Sequence, residues 1–228
     1  MAVPRRLLIP IMIAVLVLVT SRAGPCESRA QEPDVTATQE IERLRALNEG
    51  GDPVPERMVW RESRSIGLPY AGRLKQGVRL PAEDAGYFTW DPVRNTTPNR
   101  WWRRYGTDRL VRMLIDVLGE FQDAHPDAPR VGIGDLSRPG GGDFSPLHAS
   151  HQNGLDVDVY YPRLDRRERA PMRPAQIDRH LAQDLVDRFV DVGARFVFVG
   201  YRTGLRGPRR VVQTIPYHDN HLHVRLRG

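Results

Sequence analysis

Five of the seven histidines fall in two short segments. The first reads His148-Ala149-Ser150-His151-Gln152-Asn153-Gly154-Leu155-Asp156-Val157-Asp158, and the second His218-Asp219-Asn220-His221-Leu222-His223-Val224. Scattered histidines are ordinary surface or core residues, whereas histidines clustered with carboxylates have the donor chemistry of a metal site. Two histidines and one carboxylate with an open fourth position form a recognised catalytic zinc arrangement. Zinc in such a site lowers the pKa of a coordinated water to ~7, which supplies hydroxide at neutral pH. A nearby histidine outside the ligand set can accept that proton and pass it to a leaving amine. Either segment alone reads equally well as solvated charge on an exposed strand; both together point to a catalytic metal site.

Alternation along two predicted strands places these side chains. Over 155–161, Asp156, Asp158 and Tyr160 share one face, with Val157 and Val159 on the other. Over 221–226, His221 and His223 share the polar face, and Leu222, Val224 and Leu226 the apolar one. If the two strands are neighbours, Asp158 and both histidines converge above one surface. The turn at Asn153-Gly154 can bring His151 over it.

Further strands are predicted at 131–134, 195–199 and 211–214, and residues 65–81 read as an extended edge packed on the domain. Thr107 can cap a helix with Leu110, Met113, Leu114, Val117, Leu118 and Phe121 at helical spacing, closed soon after by Pro126. Pro174 is expected to open a second helix, with Ile177, Leu181, Leu185, Phe189 and Val192 on its stripe and Gly193 as C-cap. Short strands with segregated helices give an α+β single domain: a central, mainly antiparallel sheet carrying the zinc site, with helices packed around it.

Outside this domain, expected over 65–228, the chain divides in two. Residues 1–30 read as a secretory signal, with Arg5 and Arg6 ahead of an apolar run at 7–19 that is short of the ~20 residues of a membrane span. Cleavage sites are offered after Ala23 and after Ala30; an uncleaved anchor ranks second. Pro25 before Cys26, the single cysteine, makes a poor lipidation signal. Residues 31–64 read as a peripheral helix at 36–47 followed by a linker.

The net charge is +6, carried almost wholly by arginine, with Lys75 the single lysine. A basic exported protein is drawn to anionic envelope polymers. The signal, and the lack of a basic stripe interleaved with aromatics, count against nucleic acid as a partner. A membrane is expected to matter only through the signal segment.

The Ser150-His151, Asp158 and His221-Leu222-His223 pattern resembles the zinc peptidase superfamily of lysostaphin-type and D-Ala-D-Ala peptidases. The two longer histidine strings, with residues 65–81 and the Gly-rich stretch 133–142, resemble more narrowly the penicillin-insensitive murein endopeptidases. That resemblance implies a periplasmic zinc hydrolase acting on the D-alanyl-diaminopimelate cross-links of peptidoglycan. It implies that His151, Asp158 and His223 ligate zinc and that His221 is the general base. His148 and His218 would line the site, stabilising the oxyanion or adding to the metal's ligands, and Asp219 would orient a neighbouring histidine. Arg138 is a candidate for gripping a substrate carboxylate. The basic loop 202–210 reads as a solvated hairpin or as a contact for anionic glycan. Alternatives left open are a carboxypeptidase of the same superfamily and a non-catalytic peptidoglycan-binding module with structural zinc.

Overall fold

A computed structural model describes residues 58–144 and 147–228; the predicted signal and the helix candidate at 36–47 lie outside the described residues. The chain begins with a hairpin of β1 (Arg64–Leu68) and β2 (Ala71–Lys75), followed by β3 (Val78–Arg79), β4 (Glu83–Asp84), β5 (Tyr87–Thr89) and β6 (Tyr105–Gly106). Helix α1 (Asp108–Ala124) leads to β7 (Val131–Ile133) and β8 (Asp156–Tyr160). Helix α2 (Arg179–Asp191) then precedes β9 (Phe196–Val199), β10 (Val212–Thr214) and β11 (His221–Arg225). Seven strands form one sheet in the order β10-β9-β11-β8-β7-β5-β4. Its pairs are antiparallel except β10 with β9 and β5 with β7, so the expected α+β class with a mainly antiparallel sheet is what forms.

Each central strand is apolar on one face. Val157 and Val159 of β8, Leu222 and Val224 of β11, and Val197 and Val199 of β9 all join one buried cluster with side chains of both helices. Burying each such side chain stabilises the fold by roughly 1.5–3 kcal/mol. The helices therefore cover one face of the sheet instead of surrounding it, and the opposite face is left for polar chemistry. Thr107 caps α1 as expected, its hydroxyl accepting from Leu110 N at 3.2 Å, and the predicted stripe is buried except Met113, which is half-buried, while Val111 joins it.

Helix α2 corrects its prediction. Pro174 opens only a short 3-10 turn; the helix starts at Arg179, where the Asp178 carboxylate accepts from His180 N and Leu181 N. A side-chain cap that satisfies two free backbone donors outweighs proline's preset φ. Ile177 is buried ahead of the helix, and the inward stripe is Ala182, Leu185, Val186 and Phe189, leaving Val192 exposed. Loop 202–210 is likewise no hairpin: the strands on either side of it, β9 and β10, run parallel, so the loop returns the chain to the starting end of the sheet.

The hairpin is strapped to the segment that carries the first histidines. Leu74 N donates to Gly140 O at 3.0 Å, Gln152 N to Pro69 O at 3.0 Å, and Gly142 N to Gln152 O at 2.9 Å. Gly141 sits at φ +68°, and a Cβ there would lie 2.1 Å from Gln152 O. Only glycine lets the two loops approach this closely.

Candidate metal centre

Register brings the two histidine segments together. In the antiparallel β8–β11 pair His223 lies opposite Asp158, His221 opposite Tyr160 and Arg225 opposite Asp156, with the polar side chains on the face away from the helices. His151 enters from the preceding turn in the left-handed region, φ +68°, a conformation that costs a residue of its kind energy and persists where its surroundings hold it. Its Nδ1, 2.5 Å from the Leu136 carbonyl, supplies that hold.

Four imidazoles converge on Asp158. His151 Nε2 lies 3.4 Å from Oδ1, His223 Nδ1 3.5 Å and His221 Nε2 3.7 Å, while His148 Nδ1 lies 3.8 Å from Oδ2. In each ring the other nitrogen is engaged elsewhere. His148 Nε2 meets Asp135 at 2.6 Å, His223 Nε2 meets Asp156 at 2.7 Å, and His221 Nδ1 meets Asn220 Oδ1 at 2.7 Å. A ring whose N–H is committed to an oxygen turns its lone pair the other way, which is how partners behind a metal-binding histidine orient it.

The residues fit a cation. His151 Nε2 and Asp158 Oδ1 are buried without a hydrogen-bond partner, each at a cost of about 1–3 kcal/mol, and one shared cation would satisfy both. The donor atoms of His148, His151 and Asp158 lie within 4.8 Å of one another, close enough to hold a metal ion. This set shares His151 and Asp158 with the expected ligands. His223, the third expected ligand, is not part of this set; it stands beside it, 3.5 Å from Asp158 and with its ring centroid 4.7 Å from that of His151.

Above these donors opens a cavity of about 550 Å³, lined among others by Tyr70, Ser150, His218, Tyr217, Phe198 and Arg225. His218 stands beside His221, centroids 4.8 Å apart, with Nδ1 2.6 Å from the Pro216 carbonyl. Burial opposes the charge on Asp158, yet the neighbouring His151 and His221 hold its carboxyl well below the usual range. Burial first, then neighbouring histidines, bring His221 down to about 4 against the pull of Asp158. His148 is moved the other way: burial lowers it, but the hydrogen bond to Asp135 and the charges of Asp158 and Asp135 raise it overall.

Two expected residues stand apart. Arg138 is buried in its loop, donates to the Asp143 carbonyl and does not line the cavity. Asp219 accepts from the backbone N of Arg202 at 3.0 Å and from its Nε at 2.7 Å, tying the basic loop to the His218 segment. The carboxylates that do orient histidines are Asp156 and Asp135. Asp135 is fully buried, gripped by Arg103 through both arms of its fork and by Asn99 Nδ2 at 2.9 Å.

A sequence profile described as penicillin-insensitive murein endopeptidase matches residues 65–195 of this chain. The chain belongs to that family. A penicillin-insensitive murein endopeptidase of Escherichia coli O157:H7 is 46% identical over 118 residues, 51% of this chain and 40% of that protein. The namesake from Yersinia enterocolitica is 46% identical over 117 residues, covering 50% and 39%. The one from Salmonella heidelberg is 32% identical over 191 residues, covering 72% and 66%. The chain thus matches about two fifths of the length of the Escherichia coli murein endopeptidase. The family match includes His148, His151 and Asp158, and the His221-Leu222-His223 unit reaches the same site from beyond its end.

Proposed function

We propose that this chain is an exported zinc metallopeptidase that hydrolyses D-alanyl-diaminopimelate cross-links in peptidoglycan. The observation that carries the reading is the pair of unpartnered buried donors, His151 Nε2 and Asp158 Oδ1, with Asp158 lining an open cavity, in a chain of this family. His151, Asp158 and His223 would hold the metal, and His148 stands at the same centre as a further donor. Bound there, zinc would supply Lewis-acid polarisation of the scissile carbonyl and would lower the pKa of water to about 7.

The chain's own residues do the rest. His221, its Nδ1 engaged by Asn220, keeps Nε2 as an acceptor because burial holds the ring neutral at pH 7. It takes the proton of the attacking water at Nε2 and returns it to the leaving amine. His218 presents its free nitrogen beside it as the second proton-handling group. Three histidines of the centre, His148, His218 and His221, are left outside that ligand set and face an open cavity, which favours catalysis over structural zinc, closed by four protein ligands. Peptidoglycan lies outside the cytoplasmic membrane, so this reading places the protein in the periplasm; among the described residues no helix is long and apolar enough to cross a membrane.

The test is digestion of purified cross-linked muropeptide dimers with zinc, with chelator, and with His223→Ala. Dimers are expected to fall to monomers only with metal and intact His223. Dimers that survive while free pentapeptide is trimmed would replace the endopeptidase with a carboxypeptidase.

A further inference from the structure

We infer that Arg225 anchors a free carboxylate on the substrate residue just beyond the scissile amide, on its amine side. The inference rests on the peptidase reading and names the substrate feature which that site selects. Arg225 shares the polar face of β11 with His221 and His223, one same-face step from His223, about 7 Å along the strand. Its Nε donates to Asp156 Oδ1 at 2.6 Å, and the same oxygen meets His223 Nε2 at 2.7 Å. The guanidinium is therefore fixed one carboxylate away from a ring that faces Asp158. Its other flank rests on Phe198, 5.6 Å from the ring centroid.

A guanidinium has five donors in a rigid fork. Only Nε of Arg225 has an acceptor among the described residues, and neither Nη is buried without a partner, so both reach solvent. The side chain is 20% exposed and lines both the cavity above the histidines and an adjoining one of about 340 Å³. That second cavity adds Arg195 and Arg227 and has no acidic side chain in its lining. Neutralising Asp156 needs one contact; an arginine that lines two cavities and leaves both Nη groups open to solvent is suited to a bidentate carboxylate.

Reach agrees with chemistry. Three bonds separate a scissile carbonyl carbon from the carboxyl carbon of the residue after it, a span of about 4 Å. A carbonyl held near Asp158 and His223 puts that carboxylate within range of the Arg225 fork. In the cross-link proposed as substrate, the diaminopimelate centre that supplies the amine carries such a carboxylate. Arg138, buried in its own loop, is not available for this contact.

The experiment uses two synthetic cross-linked dimers, identical except that this carboxylate is free in one and a carboxamide in the other. For the unaltered zinc-loaded protein, kcat/KM should favour the free acid by about tenfold or more, since charge-assisted paired bonds are replaced by neutral ones. In Arg225→Gln the ratio should fall to about twofold or less, with Arg225→Lys between. Calorimetric binding of the two amine-side product peptides to the unaltered protein should show the same preference, whether or not the variants fold. An unaltered protein that does not discriminate overturns the inference while leaving the peptidase reading in place. A ratio that persists in a folded Arg225→Gln overturns it too, leaving Arg225 as a prop for Asp156. If neither dimer is cleaved with zinc present, both readings fall.

Discussion

Replacing Asp156 by asparagine keeps the shape of the residue behind His223 and removes its charge. Burial pushes the Asp156 carboxyl up, but the hydrogen bond with His223 and the charges of His223, His151 and Arg225 hold it at about 2. An unfolded aspartate titrates near 3.9, so the folded value is depressed. The stability this represents is fully present above about pH 4 and is lost as pH falls through about 2. Two units correspond to about 2–3 kcal/mol at pH 7, shrinking to about half of that at pH 3. Urea unfolding of the chelator-treated protein should show Asp156→Asn less stable by about that amount at pH 7, with the gap narrowing at pH 3. Zinc affinity, from competition with a chromophoric chelator, should weaken about 10–100-fold, because the weaker acceptor leaves the His223 ring less basic and less firmly oriented. A stability gap that is constant from pH 7 to pH 3 would refute the ion-pair account. A zinc affinity unchanged within about twofold would refute the placing of His223 in the metal site.

His221 sets a second expectation. With its pKa brought down to about 4, His221 stays in its accepting form through neutral pH, and under the proposed mechanism activity is lost only as falling pH protonates it. The acid limb of kcat/KM on muropeptide dimers should therefore lie at about pH 5 or below; a limb near 6.5, the ordinary imidazole value, would assign the base elsewhere. In the core, Phe121 is fully buried on α1, and Phe121→Ala should cost about 3–5 kcal/mol of unfolding free energy by urea denaturation, whereas a loss below about 1 kcal/mol would contradict its place there.

The fold was legible where a single local rule decides. Alternation located β8 and β11 because each carries aliphatic side chains on one face only, and a helical stripe behind Thr107 located α1 because the cap and the apolar spacing agree. It failed where two local rules compete. Pro174 and Asp178 are both helix-start signals four residues apart, and the one whose side chain bonds the first free N–H groups prevailed. Loop 202–210 misled for a different reason. Its arginines and glycines are as compatible with a parallel return as with a hairpin, and strand direction is decided by the partner strand, which the loop does not encode.

The centre divides along the same line. Asp158, His221 and His223 could be brought together on paper because they lie on two strands whose polar faces are visible in the sequence, and His151 because the Asn153-Gly154 turn follows it. Asp156 was visible too, but as solvated charge: alternation puts it on the face of Asp158 without revealing that β11 lays His223 and Arg225 against it. Asp135 left no local signal at all. It follows β7 in a loop of glycine, proline and serine, and its role arises from Asn99 and Arg103 of one segment and His148 of another. An isolated buried carboxylate would be expensive, so its burial implies that those partners are already in place. The carboxylates that aim the histidines are therefore consequences of tertiary packing. The side chains that converge on Asp158 follow from pattern, whereas the groups that orient them emerge only once the sheet is assembled.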